Sequence, residues 1–402
     1  MDESNEHLEW LVSVDDHILE PPSVWTNRLP KKYAQIGPRI ESGDDGEFWV
    51  YEDRRVATSG LSAVAGKRRE EFSPEPVTYD EMRPGCYDPK ARLEDMDRAG
   101  IIASLCFPSF PRFCGQMFHE AQDKELALLC VQAYNDWMLE EWCGSAPGRL
   151  IPLTLIPLWD PRLAVVEMER CAALGSHAFA FSENPEPLGL PTIHDQNRYW
   201  EPVMATANET GMVVCMHTGS SSTLPAICSD APFMANLAWG ATRTSGAMLS
   251  WLFSGLFQRH ENLKIALSEG EIGWIPYFLE RAQQVFDHTR YWVARGFQFE
   301  SHAGSALPAG EDLDIHALYR DHVYGCFIED ASGLNNLDVI GEDNVMIEVD
   351  YPHESSTWPD SIKLAQDRMS HLPVETQYKI LRGNAERLFQ FSAPYGRADL
   401  SA

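Results

Sequence analysis

Apolar residues in this chain fall into short, nearly unbroken runs, separated by longer stretches in which they recur every three or four positions. Eight segments are of the first kind: residues 11–17 (LVSVDDH), 101–109, 149–159, 176–184, 212–220, 263–269, 322–330 and 344–352. Runs that are continuous rather than alternating predict parallel strands buried on both faces. The stretches at 88–100, 124–143, 160–175, 197–211 and 273–288 carry the helical period. Two of them open on Asp-Pro and close on Gly, the signals for helix start and stop. Strands alternating with helices eight times predict an α/β fold, a (β/α)8 TIM barrel with C-terminal helices. A doubly wound open sheet is the alternative, weakened because no GxGxxG follows the first strand.

Two regions break the rhythm. Residues 18–90 read as a long insertion after the first strand, Pro-rich, with a hairpin around GEFWVYEDRRVA at 46–57. An insertion of that length is expected to be a lid or a substrate wall. Residues 297–314 are expected to form an active-site loop or an oligomer contact. Nothing splits the chain, so 1–402 is expected to be a single metal-dependent barrel domain.

Charge narrows the choice of partner. The formal net charge is −28, which argues against nucleic acid and anionic membranes, since both need a basic surface. Nine Cys are scattered with no CxxC pair, the pattern of reduced thiols in a cytoplasmic protein. The acidic N-terminus shows no signal-peptide pattern and no apolar run is long enough to span a bilayer. The expectation is a cytoplasmic protein acting on a small molecule.

In a parallel barrel the C-terminal strand ends converge on one mouth. The polar residues at those ends are Asp15, His17 and Glu20 on the first strand, Glu183 on the fourth and His217 on the fifth. Glu269 ends the sixth, and Asp350 and His353 the eighth. Taken singly, each is as readily a helix cap, a turn residue or a hydrogen-bonded core group. Taken together they predict a metal site, because buried like charges need a cation, and Asp15 and His17 share a strand face at i, i+2. No GxSxG elbow and no phosphate-binding GxxxxGK[ST] loop occurs.

The segments DDHILEPPSVW, CMHTGS, LKIALSEGEIGWIPYFLER, VDYPHESSTWPDS and ILRGNAERLFQF resemble the amidohydrolase-2 family of metal-dependent barrels, over nearly the whole chain. That resemblance implies Asp15, His17, His217 and Asp350 as metal ligands. Glu20 and Glu269 depart from the family pattern and extend the expected ligand set to four carboxylates and two imidazoles. Such a set suits two divalent ions, with iron expected and a single Zn or Mn as the alternative. This form of the family is also similar to the barrel-fold nonheme diiron monooxygenase of platensimycin and platencin biosynthesis. The similarity implies hydroxylation of a bulky, terpenoid-like substrate with O2 and an electron donor, with Asp350, Glu269 and His353 as the catalytic groups. The alternative is a hydrolase or decarboxylase of a small carboxylate or amide. Candidate pocket residues are Trp25, Phe48, Trp49, Phe110, His177, His194 and Trp358, and pairing into a homodimer is expected.

Overall fold

A computed structural model describes residues 8–43, 46–223, 225–293 and 312–394. Among them the strands are β1 (Leu11–Ile18), β2 (Arg39–Gly43), β3 (Gly46–Tyr51), β4 (Arg54–Ala57), β5 (Ile101–Pro108), β6 (Leu150–Ile151), β7 (Ala178–Phe181), β8 (Val213–His217), β9 (Ile265–Ser268), β10 (Val323–Phe327) and β11 (Val345–Ile347). All eight apolar runs therefore hold a strand, and these pair in parallel as β1-β5-β6 and β7-β8-β9-β10-β11. A bridge from Thr154 to Phe179 joins the two arcs on one side. On the other, the Asp350 amide donates to the Asp15 carbonyl at 2.8 Å and the His17 amide to the Tyr351 carbonyl at 2.6 Å. The sheet is thus closed into the (β/α)8 barrel.

The outer helices start and stop where the sequence signals them. Asp88 caps Pro89–Ala99 by accepting from the Ala91 amide, and Gly100 ends that helix at φ 74°. Asp160 likewise caps Pro161–Ala173. A glycine is required at 100 twice over, since a Cβ there would stand 2.4 Å from Ile362. The helix expected over 124–143 holds its α geometry over Lys124–Trp137 and then widens into a π-helical turn, Met138–Trp142.

One strand is far shorter than its apolar run. Of residues 149–159 only Leu150–Ile151 pair as a strand, because Pro152 and Pro157 offer no amide to a ladder. Residues between β1 and β5 carry the predicted hairpin as β3-β4, with β2 added to make an antiparallel sheet. A small apolar cluster of Leu19, Ala63, Val77, Met82 and Cys86 sits under that insertion, beside the main core. Of the second irregular region, residues 297–311 lie outside the described residues. No helix among the described residues is long and apolar enough to cross a membrane.

Candidate metal centre

The alternation of a strand decides which acids of DDH meet. Asp15 and His17 are fully buried on β1, and their side chains come together with His17 Nε2 3.5 Å from Asp15 Oδ1. Asp16, between them, faces the other way. Its carboxylate accepts from Ser13 Oγ (3.0 Å), Ser104 Oγ and the Tyr351 amide (3.0 Å), tying β1 to β5 and to the segment after β11. Burial raises its pKa to about 6, with Arg92 and these donors opposing. Behind His17 the buried Arg92 donates to the His17 carbonyl at 2.5 Å and to the Gly85 carbonyl at 2.7 Å, which fixes the strand end.

His217 arrives at the end of β8. Its Nδ1 is 2.6 Å from the Thr218 carbonyl, which assigns the proton to Nδ1 and leaves Nε2 with a lone pair directed inward. Nε2 stands 3.3 Å from Asp15 Oδ2 and 3.6 Å from Glu269 Oε2. Phe113 lies flat on the imidazole, with centroids 4.1 Å apart and planes 8° apart. From the far side of the closure Asp350 brings Oδ1 to 3.2 Å from His17 Nε2 and 3.0 Å from His353 Nδ1. The His353 ring stacks on His17 at 3.7 Å.

Asp15 Oδ1 and Oδ2, His17 Nε2, His217 Nε2 and Asp350 Oδ1 are all buried and none has a hydrogen-bond partner. Unpartnered buried polar atoms are costly, so their convergence calls for something to bind them. Tetrahedral donors held about 2.1 Å from one ion stand about 3.4 Å from each other, against the 3.2–3.6 Å found here. Imidazole and carboxylate donors suit Zn, Mn or Fe. The residues fit a divalent ion. The groups Asp15–His17–His217 and His17–Asp350–His353 share His17 and so form one cluster.

The electrostatics agree. Burial, then Glu348, Asp350 and Glu269, raise Asp15 well above the usual carboxylate range. Burial lowers His217 to about 4, which keeps it a neutral donor. Burial alone would raise Asp350, but His353 and His17 outweigh it and hold the carboxyl below its ordinary value. Asp350 and Glu269 both adopt positive φ, 58° and 54°. Such conformations cost non-glycine residues about 1–3 kcal/mol and persist only where neighbours hold them. Asp350 is held by the Asp15 carbonyl, and Glu269 by Glu348, whose carboxylate accepts the Glu269 amide at 3.0 and 3.2 Å.

The other expected residues divide. Glu269 reaches the cluster with its side chain 31% exposed, open to the mouth. Glu20 does not join it: its carboxylate accepts the amides of Ser109 (3.0 Å) and Phe110 (2.9 Å). Burial raises Glu20 to about 7, with those amides opposing. With Glu20 turned away, the four carboxylates expected to balance two iron ions are not assembled. Glu183 binds the loop after β8 instead, through the Gly219 amide, Ser221 Oγ and Arg243. Trp25 is core, its indole donating to the Cys130 carbonyl, and Trp358 donates to the Asp95 carbonyl. Phe48 lies under the Arg55 guanidinium. His177 precedes β7 at the barrel's opposite end, and the exposed His194 pairs with Ser250. Trp49 and Phe110 do line a cavity.

Two residues of the centre escaped the sequence reading. Glu348 lies two positions before Asp350, the same spacing that joins Asp15 to His17, and that period was the available signal. Phe113 carried none, since aromatic stacking on His217 depends on how the loop after β5 turns.

The chain is 27% identical over 340 residues to the gamma-resorcylate decarboxylase of Rhodococcus jostii (strain RHA1), covering 78% of this chain and 92% of that one. Among solved structures it resembles an amidohydrolase from Mycobacterium avium subsp. paratuberculosis K-10, with TM-score 0.68 and 23% identity over 94% of this chain and 97% of that one. It also resembles the dihydroxybenzoic acid decarboxylase of Polaromonas sp. JS666, with TM-score 0.60 and 18% identity over 95% and 97%. These relatives correct the expectation of a monooxygenase. The curated relative is a decarboxylase, so an oxidoreductase is not favoured over a lyase or hydrolase, and neither O2, an electron donor nor the platensimycin-type subgroup is supported. An amidohydrolase family model matches residues 24–391, and the chain belongs to that family.

Proposed function

We propose that this protein is a metal-dependent decarboxylase of a small carboxylate substrate. The observation that carries the reading is the convergence of unpartnered Asp15, His17, His217 and Asp350 donor atoms at one barrel mouth, in a chain similar to decarboxylases. Manganese is bound in the Polaromonas relative, and the same donor types here suit Mn or Zn. When bound, the ion supplies positive charge that attracts a substrate carboxylate and offsets negative charge in the transition state.

The protein's own groups supply the proton. Loss of CO2 breaks a C–C bond, leaves its electron pair on the former carboxyl-bearing carbon, and requires one proton there. His353, whose Nδ1 stands 3.0 Å from Asp350 Oδ1, has its pKa lowered by burial but raised more by that carboxylate; it delivers the proton to that carbon, with Asp350 orienting its ring. His353 is partly exposed, so solvent returns the proton after each turnover. The buried Phe107 and the stacked Phe113 surround the imidazoles and keep water from their inner faces.

The test is to load the purified protein with Mn2+ or Zn2+ and supply 2,6-dihydroxybenzoate and 5-carboxyvanillate without oxygen. CO2 release with about one metal ion per chain, lost in His217→Ala, supports the reading. Turnover that requires O2 and releases no CO2 overturns it.

A further inference from the structure

Glu183 lies just past β7 and is almost fully buried, 6% exposed, without reaching the metal cluster. What it holds is the turn that follows His217. Its amide donates to Ser220 Oγ at 2.8 Å. Its Oε1 accepts the Gly219 amide at 3.0 Å, the Ser221 amide at 3.4 Å and Ser221 Oγ at 2.9 Å. The Arg243 guanidinium stands 3.1 Å from the same oxygen. Burial raises the carboxyl, while Arg243 and the donors of the turn oppose it and favour the ionised form.

The peptide group between Thr218 and Gly219 joins this carboxylate to the cluster. Its N–H is held by Glu183, and its C=O accepts from His217 Nδ1 at 2.6 Å. A trans peptide is planar, with N–H and C=O pointing in opposite directions. A carboxylate that fixes the first therefore aims the second. The other contacts of Thr218 act on other groups: its amide donates to the Ser268 carbonyl at 3.1 Å and its hydroxyl to the Glu269 carbonyl at 3.0 Å. Gly219 has φ 99°, and a Cβ there would stand 3.0 Å from the Phe113 ring that covers His217. A glycine lets the peptide turn towards Glu183 and leaves Phe113 its place.

We infer that Glu183 is a positioning residue for the metal centre, acting on His217 through the peptide between Thr218 and Gly219. The inference rests on the metal site and not on the decarboxylase reading. Hydrogen bonds in series polarise one another, and those to an ionised acceptor are roughly twice as strong as neutral ones. Negative charge at the amide end makes the Thr218 oxygen a stronger acceptor of the Nδ1 proton. His217 Nε2, 3.3 Å from Asp15 Oδ2, becomes a better donor to a cation. Groups that hold the far nitrogen of a metal-binding imidazole matter about 10–100-fold in metal affinity.

Calorimetric titration of the native protein, Glu183→Gln and Ser221→Ala with Mn2+ tests this. Glu183→Gln keeps an oxygen for the Gly219 amide but removes the charge, and is expected to bind Mn2+ at least tenfold more weakly. Ser221→Ala takes one hydrogen bond from the same carboxylate without touching the peptide, and is expected to stay within twofold of native. Ring 15N–1H spectra of the metal-free, histidine-labelled protein add a readout that a loosened turn alone would not move. The N–H signal that His217→Ala removes is expected far downfield in the native protein and shifted upfield in Glu183→Gln. Native Mn2+ affinity in Glu183→Gln, equal losses in Glu183→Gln and Ser221→Ala, or an unshifted His217 signal overturns the inference. So does the lack of any Nδ1–H signal from His217 in the native protein, whichever way Glu183→Gln folds. The expected Mn2+ pattern in a protein that releases no CO2 would fail the decarboxylase reading and leave the role of Glu183 standing.

Discussion

His217 Nε2 stands 3.3 Å from Asp15 Oδ2, and neither atom makes a hydrogen bond. The pair comes from strands separated by two hundred residues of chain, so their meeting is a property of barrel closure. Removing either partner should remove the metal: His217→Ala and Asp15→Asn are each expected to take bound Mn2+ from about one per chain to near zero by elemental analysis. Asp15→Asn should also melt higher than the metal-free native protein, by about 2–4 °C, because it removes a carboxyl whose ionisation burial, Glu348, Asp350 and Glu269 all oppose. A lower melting point would contradict the like-charge account.

Metal affinity should rise with pH, and the carboxylates should be the cause. Asp15 holds its proton well above the ordinary range because of burial and its acidic neighbours. A metal ion must displace that proton, so affinity is lost as pH falls. His217, lowered to about 4 by burial, is already neutral above that and adds no dependence. Calorimetry with Mn2+ at pH 5.5, 6.5 and 7.5 is expected to show steady tightening. A flat profile would remove the case for a buried, protonated carboxyl.

Glu20 makes a separate prediction with the sign worked out. Its pKa rises from an ordinary 4.5 to about 7 on folding, chiefly by burial. The native state therefore binds the proton more tightly than the unfolded chain. Stability gains as pH falls from about 7 towards 4.5, and it is lost as pH rises through that window. The full effect is about 3 kcal/mol. Urea unfolding of native and Glu20→Gln protein should differ in pH slope only within this range, whatever constant offset the amide introduces. Parallel slopes would show that Glu20 is not buried as described.

Phe113 has a role that spacing could not reveal. Its ring lies 8° from coplanar with His217 and meets His17 edge-on at 5.8 Å. Stacking of this kind is worth about 0.5–1.5 kcal/mol. Phe113→Leu keeps an apolar side chain but loses the flat contact, and should weaken Mn2+ binding about two- to tenfold with the fold intact. No change in affinity would make Phe113 a spectator.

The barrel was legible because burial on both faces writes itself as continuous apolar runs, and β1, β5 and β9 fall within one or two residues of theirs. β2 was not, because RIESG carries a single large apolar residue and pairs through its backbone with β3. Asp15 and His17 were legible for the same reason that Asp16 is not a donor to the cluster: a strand has period two. Glu20 lies beyond the strand, where the turn of the backbone decides, and the Ser109 and Phe110 amides claim it. Trp25 and Trp358 misled in a similar way, since their indole N–H groups are claimed by the Cys130 and Asp95 carbonyls, whereas Trp49 does line a cavity.

The nine cysteines give a final check that needs no substrate. Eight are buried and Cys228 alone is exposed. Burial raises the thiols of Cys86 and Cys106 to about 11 and that of Cys215, two residues before His217, further still. A thiol reagent attacks thiolates that it can reach. The native protein should therefore release one equivalent with a colorimetric disulfide reagent at pH 7.5, and nine after unfolding in guanidinium. Cys228→Ser should abolish the native signal while leaving metal content unchanged. A fast thiol remaining in that variant would mean that one of the eight buried cysteines, Cys215 on β8 among them, opens to solvent.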